Sequence, residues 1–589
     1  MTKKSISAKK SEWIVLILFS VCYIFVTIFH EPWFDEAQAW QIAKCSSVKD
    51  ILLVIPHYEG HPPLWHLILA IPAKMGIPFE IGLKSIGFII TITSIILILF
   101  VSPIPRIVKL LLPFNYFIFY QYGIVVRPYC LMLLLLLVIA IIFPVKKEHP
   151  FWFCGSLGLL CLTSAYGILM AGGIAICVLW DMIMEKGIRQ FAKSFFHNKQ
   201  VLALFLLLIF AIILIIEIIP AADCDVTTAN PTNALWQRIL YALLIMPGES
   251  LLYTSPWFST EGELLQYSVF EPYPFIGYCF IGILLWLCIF CLSGKKLFKY
   301  YIVPYIFFAT FGAYKYLGIH HLGISLLLLI FEIWISAKNN SLGHGWNILI
   351  PKIMTTPKEK QILGSMGKLV LLGCLLIPAY WNIKSSILDF QTNYSSGRAV
   401  SKFLKENGLD KKQILSGWET EEYEQLSEYS YKDIDTNALG GVSTYLAYFN
   451  HNILSNVYYG DDNRAFYQYR HLSDAENAKN LAYWRTLDYP DVLLGRADVD
   501  TLFDKKITLK DNYTLVYTVE YGCVWKGNQS ISLDGIYLRN DLLDEYNLKE
   551  VSTAGFELKI TESMISAYKK GELSIEDLAD QAIKSYVGY

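Results

Sequence analysis

Charged residues are scarce in this sequence. Lys, Arg, Asp and Glu make up 17% of its 589 residues and apolar residues 54%, whereas an ordinary soluble domain carries about a quarter charged residues. That scarcity excludes a single soluble body, and the length already exceeds one ordinary domain. Positive charge is not in excess either: a net charge of -2 gives no footing for binding nucleic acid. No glycine-rich phosphate loop, HExxH metal helix, internal repeat or low-complexity tract is present. No small-residue cleavage site follows the first apolar run, which leads straight into His30-Glu31-Pro32, so Trp13–Phe29 reads as a retained span. Paired, interrupted apolar halves are also missing, which weighs against a secondary transporter. The twelve cysteines lie mostly inside apolar runs, where they behave as small hydrophobes. Cys288 and Cys291 have CxxC spacing without a second pair nearby, and Cys523 is the one cysteine after residue 384, so that part of the chain cannot hold an internal disulfide.

What is there instead is a long series of apolar runs close to the ~20 residues that cross a bilayer. Residues 1–384 hold 28 Lys/Arg and 19 Asp/Glu, while residues 385–589 hold 21 and 32. The first part therefore reads as a polytopic membrane domain and the second as a soluble, acidic one. Basic loops mark the cytoplasmic side. Lys3, Lys4, Lys9 and Lys10 place the N-terminus inside. Arg106/Lys109, Lys146/Lys147, the stretch Glu185–Lys199, Lys295/Lys296 and residues 337–365 mark the later inner loops. The expected spans are Trp13–Phe29, Ser85–Val101, Leu110–Val126, Tyr129–Phe143, Phe151–Tyr166, Ile168–Met184, Val201–Ile219, Pro274–Leu292, Lys299–Tyr314, Leu317–Ser336 and Leu369–Ile383. Leu64–Phe79, with Pro72 and Lys74 inside it, reads as a broken half-span or an interfacial helix, and Gly167 as the break of a tight helix pair. The expected fold is thus a membrane all-α bundle of about eleven transmembrane helices with interfacial helices, and an extracytoplasmic C-terminal α/β domain. The outer loops are 31–63 and 221–273. The second carries Asp223, Asp225, Glu249, Glu261, Glu263 and Glu271, and its stretch Ala234–Tyr253 is amphipathic enough to lie on the membrane surface. In residues 385–589, Ser396–Asn407 reads as a helix stopped at Gly408. Gln413–Gly417, Asp491–Gly495, Tyr513–Val519 and Cys523–Lys526 read as strands, and the tail from Thr561 as two short helices, the last capped by Ser574 with Asp577.

Four clusters fall at the expected outer boundary. In Glu31-Pro32-Trp33-Phe34-Asp35-Glu36, two adjacent carboxylates follow the first span beside aromatic rings. Adjacent helical residues point about 100° apart, so one acid can face a cavity while the other pairs or caps. Asp35 as a general base and Asp35 as a plain cap of a helix Glu36–Cys45 are both open. Glu59-Gly60-His61-Pro62-Pro63-Leu64 ends the same loop in a constrained turn; it is either part of a site or only a loop end. His57, Glu59, His61 and Asp35 offer ligands for a divalent cation, although without metal-helix spacing. Arg127-Pro128-Tyr129 sits where one span ends and the next begins. Its planar guanidinium suits a phosphate, and snorkelling to headgroups is the plain alternative. Lys315, His320 and His321, with Tyr314 and Tyr316, form a second basic group with the same two readings.

These motifs, in this order and on one side, resemble the C-type glycosyltransferases: Asp35-Glu36 after the first span, His61-Pro62-Pro63-Leu64 before the second, and Arg127-Pro128-Tyr129 opening a later one. The similarity is to the family-39-like group, the protein O-mannosyltransferase and lipid A aminoarabinose transferase relatives. It covers the membrane part well and the C-terminal part loosely. The resemblance implies a cavity facing the outer leaflet, a polyprenyl-phosphate-linked sugar as donor and inversion at the sugar carbon. It implies Asp35 as the catalytic acid of the family and Glu36 as the second acid of the pair. Glu59, His61, Arg127, Tyr129, Lys315, His320 and His321 are then substrate contacts, Arg127 near the donor phosphate. No metal site is implied, and a divalent cation stays open. The acceptor, whether glycolipid, protein or cell-envelope polymer, is not specified. Two other readings remain: a transporter or flippase of a lipid-linked sugar, and an outer-face receptor. The first wants ionisable residues at mid-membrane, whereas Glu217 and Glu332, the few deep acids, lie near span ends.

Overall fold

The computed structural model describes residues 3–194, 198–224, 234–252, 272–353, 356–416, 444–454, 490–496, 512–529 and 531–551, with ten single positions besides (466, 469, 470, 473, 475, 567, 568, 570, 571 and 574). The acids Asp225, Glu261, Glu263 and Glu271 and nearly all of the expected C-terminal helix pair, Asp577 included, lie outside the described residues. Contacts divide the chain into two units, Met1–Phe29 with Ser47–Ile387, and His30–Ser46 with Leu388–Tyr589.

The first unit is helical. Among the described residues, seven helices are long and apolar enough to cross a membrane: Lys10–Phe29, Phe79–Val101, Pro128–Val145, Ala165–Glu185, Lys199–Glu217, Ile319–Lys338 and Pro357–Gln391. Each contains or overlaps one of the eleven expected spans. Three of the other four expected spans take shorter or broken forms. Pro150–Cys161 has 12 residues, which at 1.5 Å per residue reaches about 18 Å, short of a ~30 Å hydrocarbon core. Lys299–Tyr314 has 16 residues, whereas the expected Pro274–Leu292 lies wholly within the 21-residue helix Pro272–Leu292. Leu110–Val126 is not one helix. Arg106–Leu111 gives way to a 3-10 turn at Leu112–Phe114, where Pro113 breaks the ladder. A wide π-helical stretch, Phe117–Ile124, follows with all eight residues buried. Such stretches are rare and often sit at functional sites. Leu64–Lys74 is an 11-residue helix with Pro72 inside it.

The break expected at Gly167 falls earlier, at residues 162–164. Ser164 caps the next helix, its Oγ accepting from Gly167 N at 3.1 Å. Gly167 is instead a close-approach residue: a Cβ there would lie 2.2 Å from the Leu160 carbonyl oxygen. The amphipathic stretch 234–253 forms two helices, Leu235–Leu244 and Met246–Leu251.

The second unit contains a four-stranded sheet. Its strands are β1 (Ile414–Ser416), β2 (Val492–Arg496), β3 (Tyr513–Tyr521) and β6 (Ser532–Arg539), in spatial order β1-β2-β6-β3. A separate two-stranded pair is made by β4 (Val524–Trp525) and β5 (Asn528–Gln529). β1 and β2 are parallel and the other pairings of the sheet antiparallel, with Leu494 opposite Ile536 and a bulge between Leu515 and Tyr517. The sequence expectation omitted β6, the strand between β2 and β3. Its Asp534-Gly535 pair lowers strand propensity, yet six of its eight residues are buried. Helix Gly397–Glu406 packs on this sheet through Val400 and Leu404, and Phe403 stacks on Tyr517 with ring centroids 4.4 Å apart. Asp534, on β6, accepts hydrogen bonds from Ser396 and from Tyr445 Oη at 2.8 Å, which satisfies a buried carboxylate at the start of that helix.

Candidate active site

The sequence-predicted residues divide between the two units. Asp35 and Glu36 belong to the second. Helix Phe34–Cys45 starts two residues earlier than expected, with Trp33 as its N-cap. The cap bond runs from Trp33 N to Glu36 Oε2, 2.9 Å. So Glu36 occupies the backward-reaching position of a helix cap, and the plain reading of Asp35 as the cap is replaced. Glu36 is buried, 1% exposed, while Asp35 is half-exposed in the first helical turn. That turn favours negative charge, because the helix dipole places its positive end there.

The turn before this helix is held by residues that the sequence did not single out. His30 is fully buried. Its Nδ1 lies 2.8 Å from Asp389 Oδ2 and its Nε2 lies 3.5 Å from Glu36 Oε2. Burial pushes the imidazole pKa down, but Asp389, and then Glu36, outweigh it and hold it up at about 9. The ring is therefore an imidazolium at neutral pH. The edge of Tyr394 closes on it, centroids 4.8 Å apart. Arg398 donates to the His30 carbonyl at 2.8 Å and pairs with Glu31 at 3.6 Å. At the other end of the helix Lys44 donates to the Phe449 carbonyl at 2.8 Å. One signal was available beforehand: His30 ends the first apolar run, five residues before Asp35. Nothing in a single sequence couples it to Asp389, 359 residues away.

In the first unit the structure brings Arg127, Tyr129, His320 and His321 together. Arg127 is the N-cap of helix Pro128–Ile142, with Pro128 fixing the first turn. It is 8% exposed, and its guanidinium carbon stands 5.4 Å from the centre of the Tyr129 ring. The Tyr129 ring lies 5.8 Å from His320, 5.6 Å from His321 and 5.0 Å from Tyr122. The two histidine rings are 4.0 Å apart. His321 Nδ1 accepts from Gly318 N at 2.8 Å, which fixes a neutral ring carrying its proton on Nε2. Tyr122 Oη donates to the His320 carbonyl at 2.8 Å, and Tyr166 packs on His321 with centroids 4.4 Å apart. The π-helical stretch supplies Tyr122, and the 3-10 turn Ile319–His321, just before helix Gly323–Lys338, carries the histidines. Tyr122 and Tyr166 were not anticipated, since buried tyrosines in apolar runs read as packing.

His61 is half-buried and within electrostatic reach of both His320 and His321. It follows the short helix Pro56–Glu59 through Gly60, whose φ of +64° is a left-handed conformation that glycine adopts without strain. Glu59 is half-buried in that turn. The turn is fastened by His57 Nδ1 to the Ile219 carbonyl at 2.8 Å and by Tyr58 Oη to Asp223 at 3.0 Å. Lys315 differs from the buried rings in its exposure. It is exposed at the end of helix Lys299–Tyr314, with its ammonium 5.6 Å from the Tyr314 ring centre. Among the described residues no three His, Cys, Asp or Glu side chains come together as a metal-ligating group. Glu332, one of the deep acids, is fully buried and accepts from Ser336 Oγ at 2.6 Å.

No family model matches the sequence, and no curated protein does. Among solved structures the chain is similar to the crystal structure of ArnT from Cupriavidus metallidurans bound to undecaprenyl phosphate. The two share 10% identity at a TM-score of 0.38, over 88% of this chain and 97% of that one. A likeness of that degree carries no weight for what this chain does.

Proposed function

We propose that this chain is an integral-membrane glycosyltransferase that moves a sugar from a polyprenyl-phosphate donor to an acceptor on the extracytoplasmic side, with inversion at the sugar carbon. The N-terminus is then cytoplasmic and the C-terminal unit extracytoplasmic, the orientation that the basic loops favour. The observation that carries the reading is the buried Arg127 cluster. An arginine packed against Tyr129, with neutral His321 and His320 beside it, is a fixed cation in a dry aromatic setting. There it acts more strongly on a phosphate than it would in water. The order of motifs shared with the C-type glycosyltransferases supports the same reading.

The chemistry follows from the donor. A phosphate-linked sugar carries its own leaving group, so no nucleotide loop is needed. The acceptor oxygen attacks the anomeric carbon, its proton passes to the Asp35 carboxylate, and the bond from that carbon to the phosphate oxygen breaks. The electron pair leaves with the polyprenyl phosphate, whose growing charge Arg127 stabilises. His61, His320, His321 and Tyr129 line the phosphate side, Glu59 holds the turn that carries His61, and Lys315 supplies an outer cationic approach. Glu36 is the partner acid that holds the turn carrying Asp35.

The test is consumption of a radiolabelled polyprenyl-phosphate-sugar by membranes containing wild-type protein or Asp35→Asn. Label transferred to an acceptor in the wild type and lost in the variant is the expected result. Label that crosses sealed vesicles unchanged, equally in both proteins, would replace the enzyme by a transporter of the same lipid. Mass spectrometry of glycolipids, proteins and envelope polymers from cells with and without the chain then identifies sugar and acceptor.

A further inference from the structure

The turn His30–Glu36 contains an arrangement that the proposed reaction does not use. Both ring nitrogens of His30 face carboxylate oxygens, Asp389 on one side and Glu36 on the other. Nδ1 makes the hydrogen bond, to Asp389, and Nε2 stands at the longer ion-pair distance of 3.5 Å from Glu36; a ring set between two carboxylates is favoured in its charged form. His30, Glu36 and Asp389 are all within 2% of full burial. A buried pair of this kind is costly to break, because the remaining charge is left uncompensated. Glu36 Oε2 also accepts from Trp33 N, so one carboxylate oxygen faces both the ring of His30 and the first turn of the helix. Asp35 is the residue next to Glu36 in that turn.

We propose that His30 is a positioning residue: its ring, held between Asp389 and Glu36, locks the helix start that presents Asp35. The inference rests on the reading of Asp35 as the base. Asp389 is the anchor, since it comes from the far end of helix Pro357–Gln391. His30 is the bridge, and Glu36 passes the constraint to the helix cap. Glu31 and Arg398 hold the opposite side of the same turn through the His30 carbonyl, Tyr394 covers the ring, and Tyr517 lies within electrostatic reach of Glu31. With the bridge broken, Asp35 keeps its chemistry but loses its fixed place. Catalysis is sensitive to such a loss, because a displacement of about 1 Å costs on the order of 10²-fold.

The experiment compares His30→Gln, Asp389→Asn and the control Lys402→Ala. Lys402 is exposed and pairs with Glu406 on its own helix. Two measurements are made on the full-length chain in membranes or detergent: kcat and KM for lipid-linked sugar, and hydrogen exchange of peptides covering 30–46 and 397–406. His30→Gln and Asp389→Asn are expected to lower kcat at least 10-fold with KM changed less than 3-fold. Exchange should rise in 30–46 and stay unchanged in 397–406. The double variant should be no slower than the worse single one, because both remove the same bridge. An alkaline limb of the wild-type pH–kcat profile should be missing from His30→Gln.

Unchanged kcat together with unchanged exchange in 30–46 would overturn the proposal. So would a rise in exchange throughout both segments, which marks a merely structural histidine. If His30→Gln does not fold, Asp389→Asn carries the same two readouts. If wild-type protein transfers no sugar, the reading of Asp35 as a base falls, and the exchange data alone then decide whether His30 locks the turn.

Discussion

The two clusters of candidate residues are fixed by opposite means. Around Asp35 the turn is held by charge on charge: His30 between Asp389 and Glu36, and Arg398 against Glu31. Around Arg127 the side chains are held by ring on ring, in a chain of contacts that runs from Tyr122 through Tyr129 and the two histidines to Tyr166. Balanced buried charges make a position switchable, because removing or neutralising one group unbalances the rest. Packed rings make a position stiff, with no buried ion pair to unbalance. On the proposed reading this division suits the two tasks. A base must be in the right place in the right protonation state, while a phosphate contact needs only a constant positive charge.

Substitutions sharpen that contrast, beginning with Asp35. Asp35→Asn should lower transfer by about 10²–10⁴-fold, the usual worth of a general base, while the melting temperature stays within a few degrees. A label-transfer assay beside a thermal-shift curve checks both, and transfer at the wild-type rate would remove Asp35 from the chemistry. Arg127→Ala should lower kcat/KM for the lipid donor by about 10²–10³-fold. Arg127→Lys should recover little of it, because an ammonium neither forks nor stacks as a guanidinium does. Donor titrations of the two variants measure the difference, and full rescue by lysine would reduce Arg127 to a point charge.

Stability separates the clusters next. Asp389→Asn leaves His30 and Glu36 without their third member and should cost about 3–5 kcal/mol, read from denaturation in detergent. The wild-type chain should show the matching pH dependence. His30 is held up from 6.5 to about 9, so its contribution is full below pH 6.5 and is lost as pH rises through about 9. That shift corresponds to roughly 3 kcal/mol. The ring-packed cluster contributes no such slope, so the alkaline loss should vanish in His30→Gln; a slope that persists there would assign it to another group. The smallest effect is expected at Lys315, which is exposed and set over the Tyr314 ring. Lys315→Ala should change donor kcat/KM by less than about 3-fold, because an exposed cation acts through screened, high-dielectric solvent. A loss as large as that of Arg127→Ala would place it among the phosphate contacts.

Hydropathy and charge made the architecture legible where one physical rule dominated. A run such as Pro128–Ile142, apolar throughout, has no alternative to a buried or membrane helix, and the amphipathic Gly397–Glu406 declares its packed face. The expectation failed where packing overrode composition. Leu110–Val126 is as apolar as its neighbours, yet Pro113 splits it and Phe117–Ile124 winds as a π-helix. Strand β6 hides behind Asp534 and Gly535, whose cost is met by Ser396, Tyr445 and two flanking strands. At the candidate site, sequence order pointed to Asp35, Arg127 and the histidine pair because unusual residues stood at span ends. The grouping of Arg127 with Tyr129, His320 and His321 needed coordinates, as did the presence of Tyr122 and Tyr166 among them. The same holds for His30 and Asp389. Each is unremarkable in its own stretch, and only a contact across 359 residues gives either a task.

That separation also sets a clock. Asp35 and Glu36 are made early, but the carboxylate that fastens their turn is synthesised 359 residues after His30. At about 5–20 residues per second, the interval is roughly 20–70 s. Throughout it the acidic turn has no anchor, and a chain that stops before residue 389 never acquires one. A nascent or truncated protein therefore carries the candidate base without the means to aim it.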